Sequence, residues 1–181
     1  MVHWGKDNVI LVKPDASFAA EIRSYREEML LAGSSMDGTG ALRRVEDPLE
    51  WLKYNAVMEN PNTVPENKDP ATQFVLTDTD TGRIYGMLQV RHGLNEYLKK
   101  YAGHIGYSVR PTERRKGYAK KMLKLALNYC RDVLGLRQVI VSCLIENEAS
   151  RRTILACGGV FEEKVYEHIE NVWLEKYWIT L

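Results

Sequence analysis

Only three cysteines occur in 181 residues, Cys130, Cys143 and Cys157. An odd number with no metal-ligand spacing argues against a disulfide framework and a cysteine-built metal centre, and reads as reduced core thiols of a cytoplasmic protein. Charge of one sign is also missing. Lys and Arg total 25 against 24 Asp and Glu, a formal net charge of +1, so no global field points to nucleic acid or an anionic membrane. No apolar run approaches the roughly 18 residues that span a bilayer. The segment Met1-Val2-His3-Trp4-Gly5-Lys6-Asp7 lacks the apolar stretch and small-residue cleavage site of a secretion signal. Nowhere does a Gly-Lys-Ser/Thr follow a glycine-rich loop, and the triple-glycine dinucleotide fingerprint is absent.

What is present is the balance of a globular chain, 45% apolar and 27% charged, of a length suited to one core and a single domain over residues 1–181. Residues 9–12 read as a strand stopped by Pro14, after which Asp15 or Ser17 caps a helix carrying Phe18, Ile22, Tyr25 and Met29 at helical spacing, with Gly33 as its stop. Asp47-Pro48-Leu49-Glu50 reads as a second helix start, with Glu50 reaching back to the cap. Three prolines and three asparagines mark residues 60–70 as a loop. A hairpin turning at residues 78–82 follows, then one or two helical turns within 94–100 and a strand over 104–110. The longest helix starts near Gly117: Ala119, Met122, Leu123, Ala126, Leu127, Cys130, Val133 and Leu134 form one stripe closed by Gly135. A nearly continuous apolar strand over 138–145, a short helix over 147–157 and two strands near 161–168 and 172–180 complete a mixed α/β order.

Between the strand at 104–110 and the long helix lies Arg114-Arg115-Lys116-Gly117-Tyr118-Ala119. The first-turn N–H groups of a helix have no internal partners, and the macrodipole is positive there, so a diphosphate accepts their bonds directly. Gly117 and Ala119 let it approach the backbone. Arg110, Arg114, Arg115, Lys116, Lys120, Lys121 and Lys124 crowd the region with Glu113 as the one acid, although Lys121 and Lys124 fit a solvated helix face better. Composition and position alone specify a phosphate-bearing ligand. Nucleic acid is disfavoured, because the basic strip lacks the interleaved aromatics of a single-strand binder.

Arg114-x-x-Gly117-x-Ala119 after His104-Ile105-Gly106-Tyr107-Ser108-Val109-Arg110 resembles the acetyl-CoA motif of the GNAT superfamily of N-acetyltransferases, Gln/Arg-x-x-Gly-x-Gly/Ala. Asn147-Glu148-Ala149-Ser150, with Gly158-Gly159 beyond it, resembles that superfamily's next block. Arg91-His92-x-Leu94-Asn95 followed by Gly103-His104-Ile105-Gly106-Tyr107 is similar to a bacterial-type branch of predicted acetyltransferases. The resemblance implies a GNAT fold, α/β (α+β): a mostly antiparallel central sheet of about six to seven strands, flanked by about four helices, whose splayed strands hold coenzyme A. It implies transfer of an acetyl group from acetyl-CoA to a small-molecule or peptide amine, by direct attack in a ternary complex and without a metal. The resemblance is compatible with a homodimer, as in many relatives, and leaves the oligomeric state open.

Carried over residue by residue, the backbone of Ser108, Val109 and Arg110 would pair with the pantetheine arm, and the Val109 N–H would polarise the thioester carbonyl. The loop Arg114, Arg115, Lys116, Gly117, Tyr118 and Ala119 would hold the pyrophosphate. Asn147 would bond the pantetheine arm while also serving as a helix cap, and Ser150 would lie beside it. Many members place a general-acid tyrosine about two turns into that helix, where this sequence has Ile154. Ser150 is a substitute candidate, against a capping or packing role. His104 and His92 are candidate bases, since an unperturbed imidazole titrates near ~6.5, with a structural role weighing equally for each and a water relay as the alternative. Arg91, His92, Asn95 and Tyr107, together with Tyr97, are candidates for contacting the acceptor, against ordinary hairpin and loop packing. The departure at Ile154 keeps open a second function, a catalytically weak CoA-binding sensor of the same fold.

Overall fold

The computed structural model describes residues 8–181; the reading of Met1 to Asp7 lies outside them. The chain runs β1 (Val9–Val12), α1 (Ala19–Leu31), α2 (Pro48–Glu59), β2 (Ala71–Asp78), β3 (Ile84–Arg91), β4 (Ile105–Val109), α3 (Tyr118–Asp132), β5 (Gln138–Leu144), α4 (Glu148–Ala156), β6 (Val160–Glu167) and β7 (Val172–Thr180). Short 3₁₀ turns occupy Ala16–Phe18 and Pro111–Glu113, and a π-type turn occupies Leu98–Ala102.

The seven strands form two antiparallel sheets in the orders β1-β2-β3-β4 and β5-β7-β6. They meet where β4 and β5 begin. Gly103 bridges Val141, the His104 N–H donates to Ile140 O at 2.8 Å, and the Ile140 N–H donates to His104 Nδ1 at 3.0 Å. Among the described residues no ladder joins β4 to β5 beyond that point, so the strands part towards the end where α3 and α4 begin.

Alternation along β2 and β3 sorts the core into two layers. Phe74, Leu76, Leu88 and Val90 face Met122, Leu123 and Ala126 of α3 and Ile154 of α4. Val75 and Met87 face Ile22, Tyr25 and Met29 of α1 and Trp51 of α2. The stripe read along α3 is therefore the seam of the first layer, whereas Val133 lies beyond the helix and is exposed.

Local differences have local causes. Asp15 caps the 3₁₀ turn, its carboxylate accepting from Ser17 N at 2.8 Å, and α1 starts only at Ala19. Asp47 caps α2 through Leu49 N, but Glu50 accepts from Lys53 Nζ at 2.8 Å and does not reach back. The strand expected over 104–110 loses both ends, because His104 turns to β5 and Arg110 precedes Pro111.

The loop between α1 and α2 is pressed on β4. Gly38 has φ +72°, and a Cβ there would stand 2.2 Å from the carbonyl oxygen of Gly106, backbone against backbone. Gln73 Nε2 donates to Gly38 O at 2.8 Å and Trp51 Nε1 to Thr39 O at 2.8 Å, fastening the loop from below. Gly38→Ala combines a left-handed alanine with an unrelievable clash, so it should lower unfolding free energy by about 2–4 kcal/mol. Urea denaturation measures this, and a loss below 1 kcal/mol would mean that the loop sits elsewhere in solution.

Candidate active site

The hydrogen-bond register of β4 decides which of its backbone groups are free. The Arg91 N–H donates to His104 O at 2.8 Å, and the Arg110 N–H donates to Tyr85 O at 2.9 Å. Antiparallel alternation therefore points the N–H and C=O groups of Gly106 and Ser108 at β3 as well, and turns those of Ile105, Tyr107 and Val109 towards the gap with β5. This corrects the expectation for Ser108 and Arg110, whose backbone groups are spent on the ladder. Their side chains face α1. Ser108 Oγ meets Tyr25 Oη at 3.0 Å. Arg110, fully buried, bonds Glu21 at 3.1 Å, lies 3.6 Å from Glu28 and sits over the Tyr25 ring. Burial pulls the Arg110 pKa down, and the two carboxylates partly restore it.

Of the gap-facing groups, Val109 O accepts from Arg114 Nε at 3.2 Å, while its N–H is directed at the gap. Arg114 also donates to Ser34 Oγ, so one guanidinium joins β4 to the loop between α1 and α2. Neither bond is foreshadowed by the motif, which marks Arg114 only as a position.

The loop that follows has the backbone of an anion cradle. Arg115 has φ 63° and Gly117, the N-cap of α3, has φ 85°. Left-handed residues flanking Lys116 turn successive N–H groups towards one side. Among the described residues no protein group accepts from the N–H groups of residues 115–120, and the first helical bond nearby runs from Lys121 N to Gly117 O at 3.0 Å. The side chains divide the work. Lys116 donates to Glu113 at 2.8 Å, and Arg83 donates to the same carboxylate at 3.2 Å. Burial alone would raise the Glu113 pKa, but these bonds outweigh it and hold the carboxyl below its usual range. Two of the three cations preceding Gly117, Arg114 and Lys116, thus brace the loop, and Arg115 and Lys120 are left to face an anion.

Across the gap, Asn147 caps α4 by accepting from Ser150 N at 3.1 Å. Ser150 Oγ lies 2.8 Å from Tyr107 Oη, a hydroxyl pair that links β4 to α4 where β4 and β5 part. Burial pushes the Tyr107 pKa well above its ordinary value, so both hydroxyls stay neutral. Ile154 is wholly buried in the layer between α4 and the sheet, and a Cβ on Gly159 would come within 2.5 Å of its side chain. Cys143, beside this pair, is a buried thiol pushed up to about 11 by desolvation.

Neither histidine is placed to take a proton. His104 Nδ1 is occupied by the Ile140 N–H, and burial, aided by the nearby Arg91 charge, drops its pKa to about 4. The expectation of a base there is corrected: His104 is a neutral cross-link between the sheets. His92 belongs to a separate network, its Nε2 lying 2.8 Å from Thr72 Oγ1, which also bonds Glu59 at 2.9 Å; burial lowers its pKa too. The His104 cross-link has a stability signature. An unfolded histidine binds a proton below about pH 6.5, whereas the folded one resists until about pH 4. Stability should therefore fall as pH drops through that window, and His104→Gln should flatten the slope. Equal slopes for the two proteins would remove the assignment.

Arg91 and Asn95 meet at a pocket of about 240 Å³ on the α2 side of the sheet, where Asn95 is held by Asp69 through its N–H at 2.7 Å. Tyr97 lines the same pocket, whereas Tyr107 and His92 do not. Among the described residues, no group of three His, Cys, Asp or Glu side chains is gathered as metal ligands would be, and no helix is long and apolar enough to cross a membrane.

Two antiparallel sheets part beside a helix N-terminus whose free N–H groups suit an anion. Residues 15–160 match the Acetyltransferase (GNAT) domain family, and the chain belongs to that family. It is 28% identical over 94 residues to "Uncharacterized N-acetyltransferase YoaA" of Bacillus subtilis (strain 168), a match covering 49% of this chain and 51% of that protein, so the chain spans about half the length of this curated relative. Among solved structures it resembles the ribosomal-protein-S5-alanine acetyltransferase of Vibrio fischeri, with a TM-score of 0.74, 18% identity, and 99% and 97% of the two chains covered. It also resembles the spermidine N-acetyltransferase of Vibrio cholerae in complex with CoA and spermine, with a TM-score of 0.67, 18% identity, and 96% and 95% covered. At these identities the likeness concerns the fold.

Proposed function

We propose that the protein transfers an acetyl group from acetyl-CoA to a primary amine of a small molecule or peptide, by direct attack in a ternary complex. The observation that carries this reading is the row of unpartnered N–H groups at residues 115–120, on the same edge of the gap as the Val109 N–H and the Tyr107–Ser150 pair. The donor supplies an activated acyl thioester when bound. The N–H groups of Arg115 to Ala119, with the Arg115 charge, would hold its diphosphate. Tyr107 and Val109 offer backbone groups to an extended pantetheine arm, and Asn147 has its side-chain N–H₂ to add. The Val109 N–H is placed to donate to an oxygen that gains charge during acyl transfer. Ser150, oriented by Tyr107, is the residue able to deliver a proton to a leaving sulfur. With both histidines otherwise engaged, deprotonation of the acceptor ammonium falls to water. The three unpaired thiols suit a cytoplasmic enzyme, and a homodimer completes the proposal.

Incubation of the purified protein with acetyl-CoA and an amine panel, with acetylated products read by mass, tests the reading. Time-dependent acetylation of at least one amine is expected. CoA binding with no turnover on any amine would instead favour the sensor of the same fold.

A further inference from the structure

The pocket beside Arg91 has a polar floor on which one amide has no protein partner. Gln89 and Arg91 share one face of β3 and line it together with Met58, Asp69, Asn95 and Tyr97. Gln89 is 8% exposed, yet among the described residues its amide makes no hydrogen bond. Beneath it two more buried amides converge on Gly40. A Cβ there would stand 3.1 Å from Asn55 Oδ1, 3.2 Å from Gln89 Nε2 and 3.5 Å from Gln73 Oε1. Neither Asn55 nor Gln73 Oε1 has a partner. Gln89 is the amide of this group that lines the pocket, and with no protein partner it is available to a ligand there.

Arg91 supplies the sign of that ligand. Its Nη1 donates to Gly103 O at 2.9 Å and Ala102 O at 3.5 Å, and no described carboxylate lies within ion-pair distance. Burial depresses its pKa, and the more distant charge of Asp37 offsets that only in part. The Asp69 carboxylate is already used by Asn95 N. An incompletely neutralised guanidinium beside an unpaired amide matches a carboxylate, which accepts from both.

The position of this head group fixes the spacing. Arg91 Nη2 lies 3.6 Å from the Cβ position of Gly106. From Gly106 to Val109 is three strand residues, about 10 Å. A carboxylate at Arg91 thus leaves an amine several bonds away to reach the Val109 end of β4.

We infer that the pocket of Gln89 and Arg91 is an acceptor subsite for a carboxylate, and that the enzyme acetylates primary amines carrying a carboxylate several bonds from the nitrogen, as in an ω-amino acid. This rests on the acetyltransferase reading above for the reaction, but not for the binding. A polyamine, cationic along its length, meets like charge at Arg91 and is a poor acceptor here.

The test compares 6-aminohexanoate, its amide and 1,6-diaminohexane. Calorimetric titration into the protein alone should show at least tenfold tighter binding of the aminocarboxylate, and kcat/KM for acetylation should follow the same order. Arg91→Gln and Gln89→Leu should each erase most of the preference, with CoA affinity as the control for folding. Equal binding of the three compounds, or a preference that survives Arg91→Gln, overturns the inference. Failure of the transferase reading looks different: the aminocarboxylate still binds preferentially, but none of the amines is acetylated.

Discussion

Gly117→Asp should yield a folded protein whose affinity for CoA is at least a hundredfold weaker. Gly117 adopts φ +85° at the N-cap of α3, and nothing lies within 4 Å of a Cβ built there. The folding cost is therefore conformational, about 1–2 kcal/mol for a left-handed non-glycine. The binding cost is of another kind. A carboxylate at this cap can take the free N–H groups of the first turn for itself, and its charge repels a diphosphate from the same place. A hundredfold loss corresponds to roughly 2.7 kcal/mol, the scale expected when charge-assisted bonds are replaced by repulsion. Gly117→Ala separates the two effects, since it carries the backbone strain without the charge, and should weaken CoA by about tenfold at most, or about 1.4 kcal/mol. Calorimetry with CoA reads both variants. Near-normal affinity in a folded Gly117→Asp protein would remove the diphosphate from this helix end.

The parts of this site legible in the sequence are those fixed by neighbouring residues. Gly117 at a strand-to-helix junction, the apolar stripe of α3 and the Asp47-Pro48 start of α2 are local signals, and each lies where pattern and capping place it. Their order yields a mixed α/β domain, and the motif resemblance implies the GNAT fold, with which the family match over residues 15–160 agrees. What stayed hidden depends on residues far apart in the chain. Which backbone groups of β4 are free is set by its register with β3, so residues 108–110 could not be divided before that register was known. The sequence places His104 at a strand start, a fair place for a base, but the Ile140 N–H that occupies its Nδ1 arrives from 36 residues away. Likewise, the motif counts Arg114 and Lys116 as charge for a ligand, whereas Val109, Ser34 and Glu113 claim them.

That internal use of charge bears on how the two substrates communicate. Arg114 touches the carbonyl of Val109 and the hydroxyl of Ser34, so the loop before α3, the gap-facing strand and the loop between α1 and α2 share one side chain. Gly38 presses that same loop on Gly106, next to the Arg91 guanidinium. The proposed donor and acceptor ends would thus share one continuous backbone frame, which suits a reaction requiring both to be present together.

The largest effect on turnover should come from Ser150. Ser150→Ala removes the hydroxyl nearest the start of α4 and should lower kcat by about 10²–10³-fold, the usual worth of a positioned proton donor. Because CoA would be held chiefly by the Val109 strand and the α3 loop, its dissociation constant should change by less than about threefold, under 1 kcal/mol. Tyr107→Phe leaves Ser150 in place but removes the partner 2.8 Å away that orients it, so a smaller loss in kcat of about tenfold is expected. The double variant should be little worse than Ser150→Ala alone, since residues acting as one unit are not additive. A large loss for Tyr107→Phe beside a near-normal Ser150→Ala would transfer the role to Tyr107, and near-normal turnover in both would leave the proton to solvent. Nor should Ile154→Tyr rescue Ser150→Ala. Residue 154 is fully buried against Gly159, so a tyrosine there is driven into the packed layer between α4 and the sheet, at a cost of about 1–3 kcal/mol, and presents no hydroxyl to the gap.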